Sequence, residues 1–404
     1  VRIADVLAVP VRGGFFTDDQ AAILAGAEHD GFGYAGAPVT PGFTAIRQPA
    51  QALSVLLVLE DGSVEHGDCA AVQYSGVGGR DPVFDAVAAR DVVLRQVAPL
   101  LRGRDVSGFR PVAEELAQLP VHTAIGYGVS QALLAVAARH QRRTMAEVVR
   151  DEYATGVELA AVPLYGQTGD DRYANAEKML LHRVDVLPHG LFNSLALIGT
   201  QGERLADYLR WLVARAGELA PGHRPRLHVD VYGTLGLAFG GDVGAVAAYL
   251  AALGEACAPF ELAVEHPVDG GDRAGQIAVS AALRTELARR GSGVRVVVDE
   301  WCNTADDVRA FLAADAADVV QVKTPDLGSL THTVEALLAV RAAGVEAFCG
   351  GTCAETERSA QVTAHVAMAC GASQVLAKPG MGLDEGLMVV GNEMARTLAL
   401  AGTR

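Results

Sequence analysis

The spacing of apolar and polar positions changes part-way along the chain. Residues 1–12 (VRIADVLAVPVR) and 53–71 (LSVLLVLEDGSVEHGDCAA) are rich in β-branched residues and predict strands. Asp61-Gly62 breaks the second run with a hairpin turn. Apolar positions at helical spacing follow over 82–101, 111–119, 122–140 and 144–153. Strands first and helices afterwards predict an α+β unit over residues 1–157. The glycine-rich stretch 31–43, GFGYAGAPVTPGF, reads as a loop within it.

From residue 158 onwards short β-branched runs alternate with amphipathic helices. The runs are AAVPLYG, VDVLPHGLFNSLA, RLHVDVY, FELAVEHP, VRVVVDEW, VVQVKTP, EAFCGG and QVLAKPG. Helical segments such as 203–219, 242–256, 272–290, 304–314, 331–343 and 355–369 separate them. About eight β-α units in roughly 245 residues is the size of a (β/α)8, TIM-type barrel. A doubly wound sheet rarely needs eight parallel strands in such a length. The expected architecture is therefore a capping α+β domain over residues 1–157 and a barrel over residues 158–404.

Composition narrows the partners. A chain of 404 residues exceeds what one core usually supports, in keeping with two domains. The formal charge, 33 − 48 = −15, repels phosphates and argues against nucleic acid and anionic membrane surfaces. No apolar run approaches a membrane span, and VRIADVLAVPVRGG reads as a strand rather than a signal peptide. Six scattered cysteines suit a reducing compartment, so a cytoplasmic location is expected. Cys349 and Cys353 lie close in CGGTC, but no second Cys or His pair at zinc spacing accompanies them.

The chemistry lies at the strand ends. LHVD ends at Asp230, LAVE at Glu265, VVVD at Asp299 and VVQVK at Lys323. Their separations are 265 − 230 = 35, 299 − 265 = 34 and 323 − 299 = 24 residues, each about one β-α unit. On consecutive barrel strands all four side chains emerge at the C-terminal rim, where barrel enzymes place their chemistry. Three carboxylates side by side are costly to bury without a counter-charge. An all-oxygen donor set with open positions points to Mg²⁺ rather than zinc. A lysine beside a bound divalent cation is expected to have a lowered pKa and to serve as a general base. Metal and base together predict proton abstraction next to a carboxylate, with the metal taking up the enediolate charge.

Longer motifs sharpen this. HDGFGYAG, GDCAAVQYSGVGGRDP, GDDRY, HVDVYGT, DEWCNT, QVKTPDLG, GGTCAET and VLAKPGMGLDEG run nearly end to end. The chain resembles the methylaspartate ammonia-lyases (3-methylaspartases) of the enolase superfamily. The resemblance implies Mg²⁺ with K⁺ as an activator, a homodimer, and reversible loss of ammonia from L-threo-3-methylaspartate to give mesaconate. It implies Lys323 as the base at C3, and His189 on the opposite face for the other stereoisomer. Asp230, Glu265 and Asp299 match the metal ligands. Gln167, Gln321, Thr352 and Cys353 match positions holding substrate carboxylates or the amino group, Cys353 through its backbone. Gln73 of the capping domain contributes from above, while Tyr165, Phe348 and Leu376 match the apolar wall around the methyl group. Ala354 and Phe348 depart from the family pattern, which has a polar residue and a tyrosine there.

Other signals weigh less. GFGYAG fits a dinucleotide-binding pattern but follows no strand and starts no helix. GVGGRDP lacks a P-loop ending and reads as a turn leading into a helix at Pro82. Trp301 and Cys302 read as packing residues, and Glu300 as either a partner of the ligands or a rim carboxylate. Dehydration, racemisation or cycloisomerisation on the same scaffold is the nearest rival. It usually carries a Lys-x-Lys pair on the second barrel strand, which LFNSLALIG lacks. A non-catalytic barrel binding metal and dicarboxylate is the rival from another class.

Overall fold

The computed structural model describes residues 1–403. The first strand, Ile3–Asp18, pairs antiparallel with Arg47–Leu59, and that strand pairs with Val64–Ala70 across the turn at Asp61-Gly62. Alternation sets which face is buried: Leu53, Val55, Leu57 and Leu59 point inward and are fully or almost fully buried. That face packs on the long helix Thr123–Gln141, most of which is buried.

The contact between sheet and helix is unusually close because two glycines meet there. A Cβ on Gly67 would lie 2.2 Å from the carbonyl oxygen of Gly128, and one on Gly128 would lie 2.4 Å from the amide nitrogen of Cys69. Any side chain at either position would push the two backbones apart.

The predicted first helix starts later than expected. Asp85 caps it with hydrogen bonds from the N–H groups of Val87 and Ala88, so it runs Ala86–Val92, passes through a wide turn at Val93–Val97 and ends with Ala98–Leu101. Residues 76–85 are thereby free to form a loop. The glycine-rich stretch is not all loop either: His29–Asp30 and Gly33–Tyr34 form a small antiparallel pair.

The barrel is closed and has eight parallel strands. In chain order they are Leu164–Tyr165, Val186–His189, Arg226–Asp230, Leu262–Glu265, Arg295–Val298, Val319–Val322, Glu346–Cys349 and Gln374–Leu376. Helices Arg172–His182 and Asp384–Ala401 complete the outer ring beside those read from the sequence. Tyr165, Val186, Ala263, Val297, Val319, Phe348 and Leu376 fill the barrel interior. One apolar cluster joins the cap to the half of the barrel formed by its last four strands and their helices. A second cluster fills the other half.

Candidate active site

The barrel order decides which side chains can meet. Asp230 and Glu265 end the third and fourth strands, Asp299 directly follows the fifth, and Lys323 directly follows the sixth. Carboxylate oxygens of Asp230, Glu265 and Asp299 all lie within 4.8 Å of one another, and all three residues are buried. His189 ends the second strand, four places from the sixth, so it faces Lys323 across the barrel mouth. Its backbone is held at φ 65°, a conformation that a non-glycine residue adopts only when its surroundings impose it.

The electrostatics are those of a crowded acidic site. Burial first, then Glu300 and Asp299, push the Asp230 carboxyl well above its usual range. Burial, then Asp230 and Asp299, do the same to Glu265. Such a set calls for a cation, and three oxygen donors suit a hard divalent one such as Mg²⁺. Lys323 supplies part of the compensation: its Nζ lies 2.5 Å from Asp299 Oδ2, and its side chain is only 12% exposed. Burial and Arg80 lower its pKa, but Asp299, Glu300 and Asp326 raise it further, so it stands above its ordinary value. The sequence-based expectation of a lowered pKa concerns the lysine beside a bound divalent cation, whose charge would oppose that of the carboxylates. His189 behaves differently. Burial, helped by the charges of Lys323 and Arg172, lowers its pKa to about 3, so its imidazole is neutral at ordinary pH.

A pocket opens over these groups, with Asp230 among the residues that line it. Gln73, Gln167, His189, Gln321 and Lys323 line it, as do Thr352 and Cys353. Phe348 and Leu376 form its apolar wall. Tyr165 sits one layer down: it stacks on His228 at 4.3 Å and hydrogen-bonds the His228 carbonyl. Gln321 donates to Glu265, so it braces a carboxylate as well as lining the cavity. The Gln73 amide nitrogen donates to Asp18 at 2.9 Å, which turns its carbonyl oxygen toward Cys353 Sγ, 3.3 Å away.

Several site residues escaped the sequence reading. Arg80, from the GVGGR loop, is buried against the barrel rim. It donates to Asp326 at 2.8 Å and to Asp299 at 3.1 Å, with Glu300 at 3.6 Å. Gly76, Gly78 and Gly79 all have positive φ, the backbone freedom that lets the loop turn so tightly; Gly78 accepts from Asn303, and Gly79 packs on the Trp301 ring. An arginine closing a three-glycine loop was the available signal. His228 supports Glu265 from behind, with Nε2 2.9 Å from Oε2. Gln374 contacts the other ring nitrogen, so His228 is fixed as the donor to Glu265. His266 and Glu300, each directly after a triad carboxylate, form a buried pair at 3.0 Å.

The chain thus combines a closed eight-stranded barrel, three carboxylates and a lysine on its rim, and an antiparallel-sheet cap. Muconate lactonizing enzyme from Pseudomonas fluorescens shares this fold, with a TM-score of 0.64 at 18% identity over 96% of this chain and 88% of that one. The family models described as the methylaspartate ammonia-lyase N-terminus and C-terminus match residues 1–154 and 156–403. Methylaspartate ammonia-lyase of Haloarcula marismortui is 52% identical over 410 residues, covering 99% of this chain and 97% of its own. The structure is similar to Citrobacter amalonaticus methylaspartate ammonia lyase containing (2S,3S)-3-methylaspartic acid, with a TM-score of 0.96, 48% identity and 100% coverage of both chains. It is also similar to the Mg complex of β-methylaspartase from Clostridium tetanomorphum, with a TM-score of 0.93, 51% identity and 100% coverage of both. The chain belongs to the methylaspartate ammonia-lyase family and is a carbon–nitrogen lyase.

Proposed function

We propose that this chain catalyses the Mg²⁺-dependent, reversible removal of ammonia from L-threo-3-methylaspartate to give mesaconate, with Lys323 taking the C3 proton. The observation that carries this reading is the meeting of Asp230, Glu265 and Asp299 within 4.8 Å, with Lys323 on the next strand and His189 across the mouth. Asp230, Glu265 and Asp299 hold the metal; the all-oxygen donor set and the raised carboxyl pKa values fit a hard dication. Bound there, Mg²⁺ would supply the positive charge that offsets the second negative charge developing on the substrate carboxylate.

Lys323 removes the proton from C3, and the electron pair left behind is held on the adjacent carboxylate as an enediolate until it forms the C2–C3 double bond and the C2–N bond breaks. Nitrogen leaves with that bond's electrons as ammonia. Gln167, Gln321, Thr352 and the Cys353 backbone orient the carboxylates and the amino group, with Gln73 completing the contacts from the cap. Phe348 and Leu376 exclude water around the methyl group, with Tyr165 behind them. His189, neutral and on the opposite rim, is placed to act on the other C3 stereoisomer. The cap over residues 1–157 closes the site and the barrel over 158–404 carries the base and the carboxylates.

The test is incubation with mesaconate, ammonia and Mg²⁺, following loss of ultraviolet absorbance and identifying the amino acid formed. Formation of 3-methylaspartate is the expected result. No mesaconate consumption between neutral and alkaline pH would overturn the reading.

A further inference from the structure

The rim carries a second charged pair that the proposed chemistry does not use. Lys378, two residues past the eighth strand, and Glu355 both have completely buried side chains, with Nζ 2.7 Å from Oε1. Every donor of the ammonium is satisfied: Glu355, the Gly350 carbonyl at 2.9 Å and the Thr324 hydroxyl at 3.1 Å. Glu355 in turn accepts from the Thr352 N–H at 3.1 Å and from the Tyr127 hydroxyl of the cap's long helix at 2.7 Å. One pair thus grips the residue after the base, both ends of the Gly350–Thr352 turn, and the cap.

The turn is wrapped tightly onto the pair. A Cβ on Gly351 would lie 2.2 Å from both Lys378 Nζ and Glu355 Oε1, and Gly351 has φ 140°. Stability is a poor reason for burying such a pair, since well-packed apolar residues generally do as well or better. What a fully satisfied buried network supplies is one fixed arrangement of the groups around it. Those groups are Thr324, next to Lys323, and Thr352, at the cavity wall.

We propose that Lys378 and Glu355 are positioning residues that hold the Thr352–Cys353 wall in register with Lys323. This rests on the reading of Lys323 as the base and of Thr352 as a substrate contact. The test compares Lys378→Met/Glu355→Gln, which removes the charges together so that neither is left alone in the core, with Tyr127→Phe, which removes one hydrogen bond to Glu355. Lys323→Ala runs in parallel, and kcat, KM for 3-methylaspartate and the Mg²⁺ dissociation constant are measured for each.

The double variant is expected to stay folded, to bind Mg²⁺ within about twofold of the parent, and to lose about 10–100-fold in kcat/KM through both constants. Tyr127→Phe should move the same way by less. Unchanged kcat and KM in a folded double variant would overturn the proposal, as would Mg²⁺ affinity falling in step with activity. Should the double variant not fold, Tyr127→Phe and Glu355→Gln decide, and parental kinetics in both would overturn it. Near-normal turnover by Lys323→Ala strikes the base assignment instead. An inactive Lys323→Ala beside an unaffected pair variant strikes only the positioning role.

Discussion

Asp299 is shared by three claimants: the Lys323 ammonium, the Arg80 guanidinium and the metal-binding triad. Substitutions around it should therefore separate. Lys323→Ala is expected to abolish turnover of the threo substrate while Mg²⁺ still binds, whereas Asp299→Asn should weaken Mg²⁺ binding, as calorimetric titration would read. Mg²⁺ binding unaffected by Asp299→Asn would remove that residue from the ligand set. Arg80→Ala leaves the buried Glu300 and Asp326 without their principal cap-side cation. Breaking a buried pair in this way costs about 3–5 kcal/mol, so the urea midpoint should fall markedly, with Arg80→Lys in between. The strand-end acids and Lys323 were legible in the sequence because each closes an apolar run one β-α unit from the next. Arg80 was not, since its partners lie more than 200 positions away and its glycine loop has an adequate local explanation.

At the scale of elements, period and turn chemistry gave the barrel's alternation and the cap's hairpin. They did not give the close approach of sheet to helix, because a glycine inside a helix looks only like a weak helix former. Gly128→Ala weighs the two effects. Alanine favours helix by about 1 kcal/mol, but its Cβ would sit 2.4 Å from the Cys69 amide nitrogen, a backbone atom that cannot swing aside. Overpacking of this kind costs about 1–3 kcal/mol, so thermal denaturation should show a lower Tm; a raised Tm would mean that the interface yields.

The outer helices make a pH prediction. On Glu393, burial acts upward, but the His365 hydrogen bond and Arg396 outweigh it and lower the pKa from 4.5 to about 2. A folded-state value below the unfolded one contributes stability that is complete above about pH 4.5 and lost as pH falls toward 2. Glu393→Gln should therefore cost on the order of 2 kcal/mol at neutral pH and flatten the decline across that window. An acid-unfolding curve parallel to the parent's would show that the pair contributes nothing.

For the whole molecule, the boundary between strand-then-helix and alternating patterns near residue 157 describes the chain, but the packing does not divide there. The apolar cluster that begins at Ile3 of the cap continues through Tyr127 and Val136 to Val320, Ala360 and Met394 of the barrel. Buried polar links reinforce it: Tyr127 to Glu355, and Arg80 to Asp326. Domains joined through a small polar interface unfold separately, whereas a shared apolar core ties their transitions together. The second barrel cluster is bound to the first through the closed ring of strands, since no barrel strand has a free edge. Cap and barrel should therefore melt as one unit, giving a single calorimetric peak whose calorimetric and van't Hoff enthalpies agree. Magnesium should move that whole peak upward, because a ligand binding only the folded state stabilises everything that unfolds with its site. In Asp299→Asn the upward shift should shrink. Two resolved peaks, with magnesium moving just one, would show instead that the cap docks on the barrel without sharing its stability.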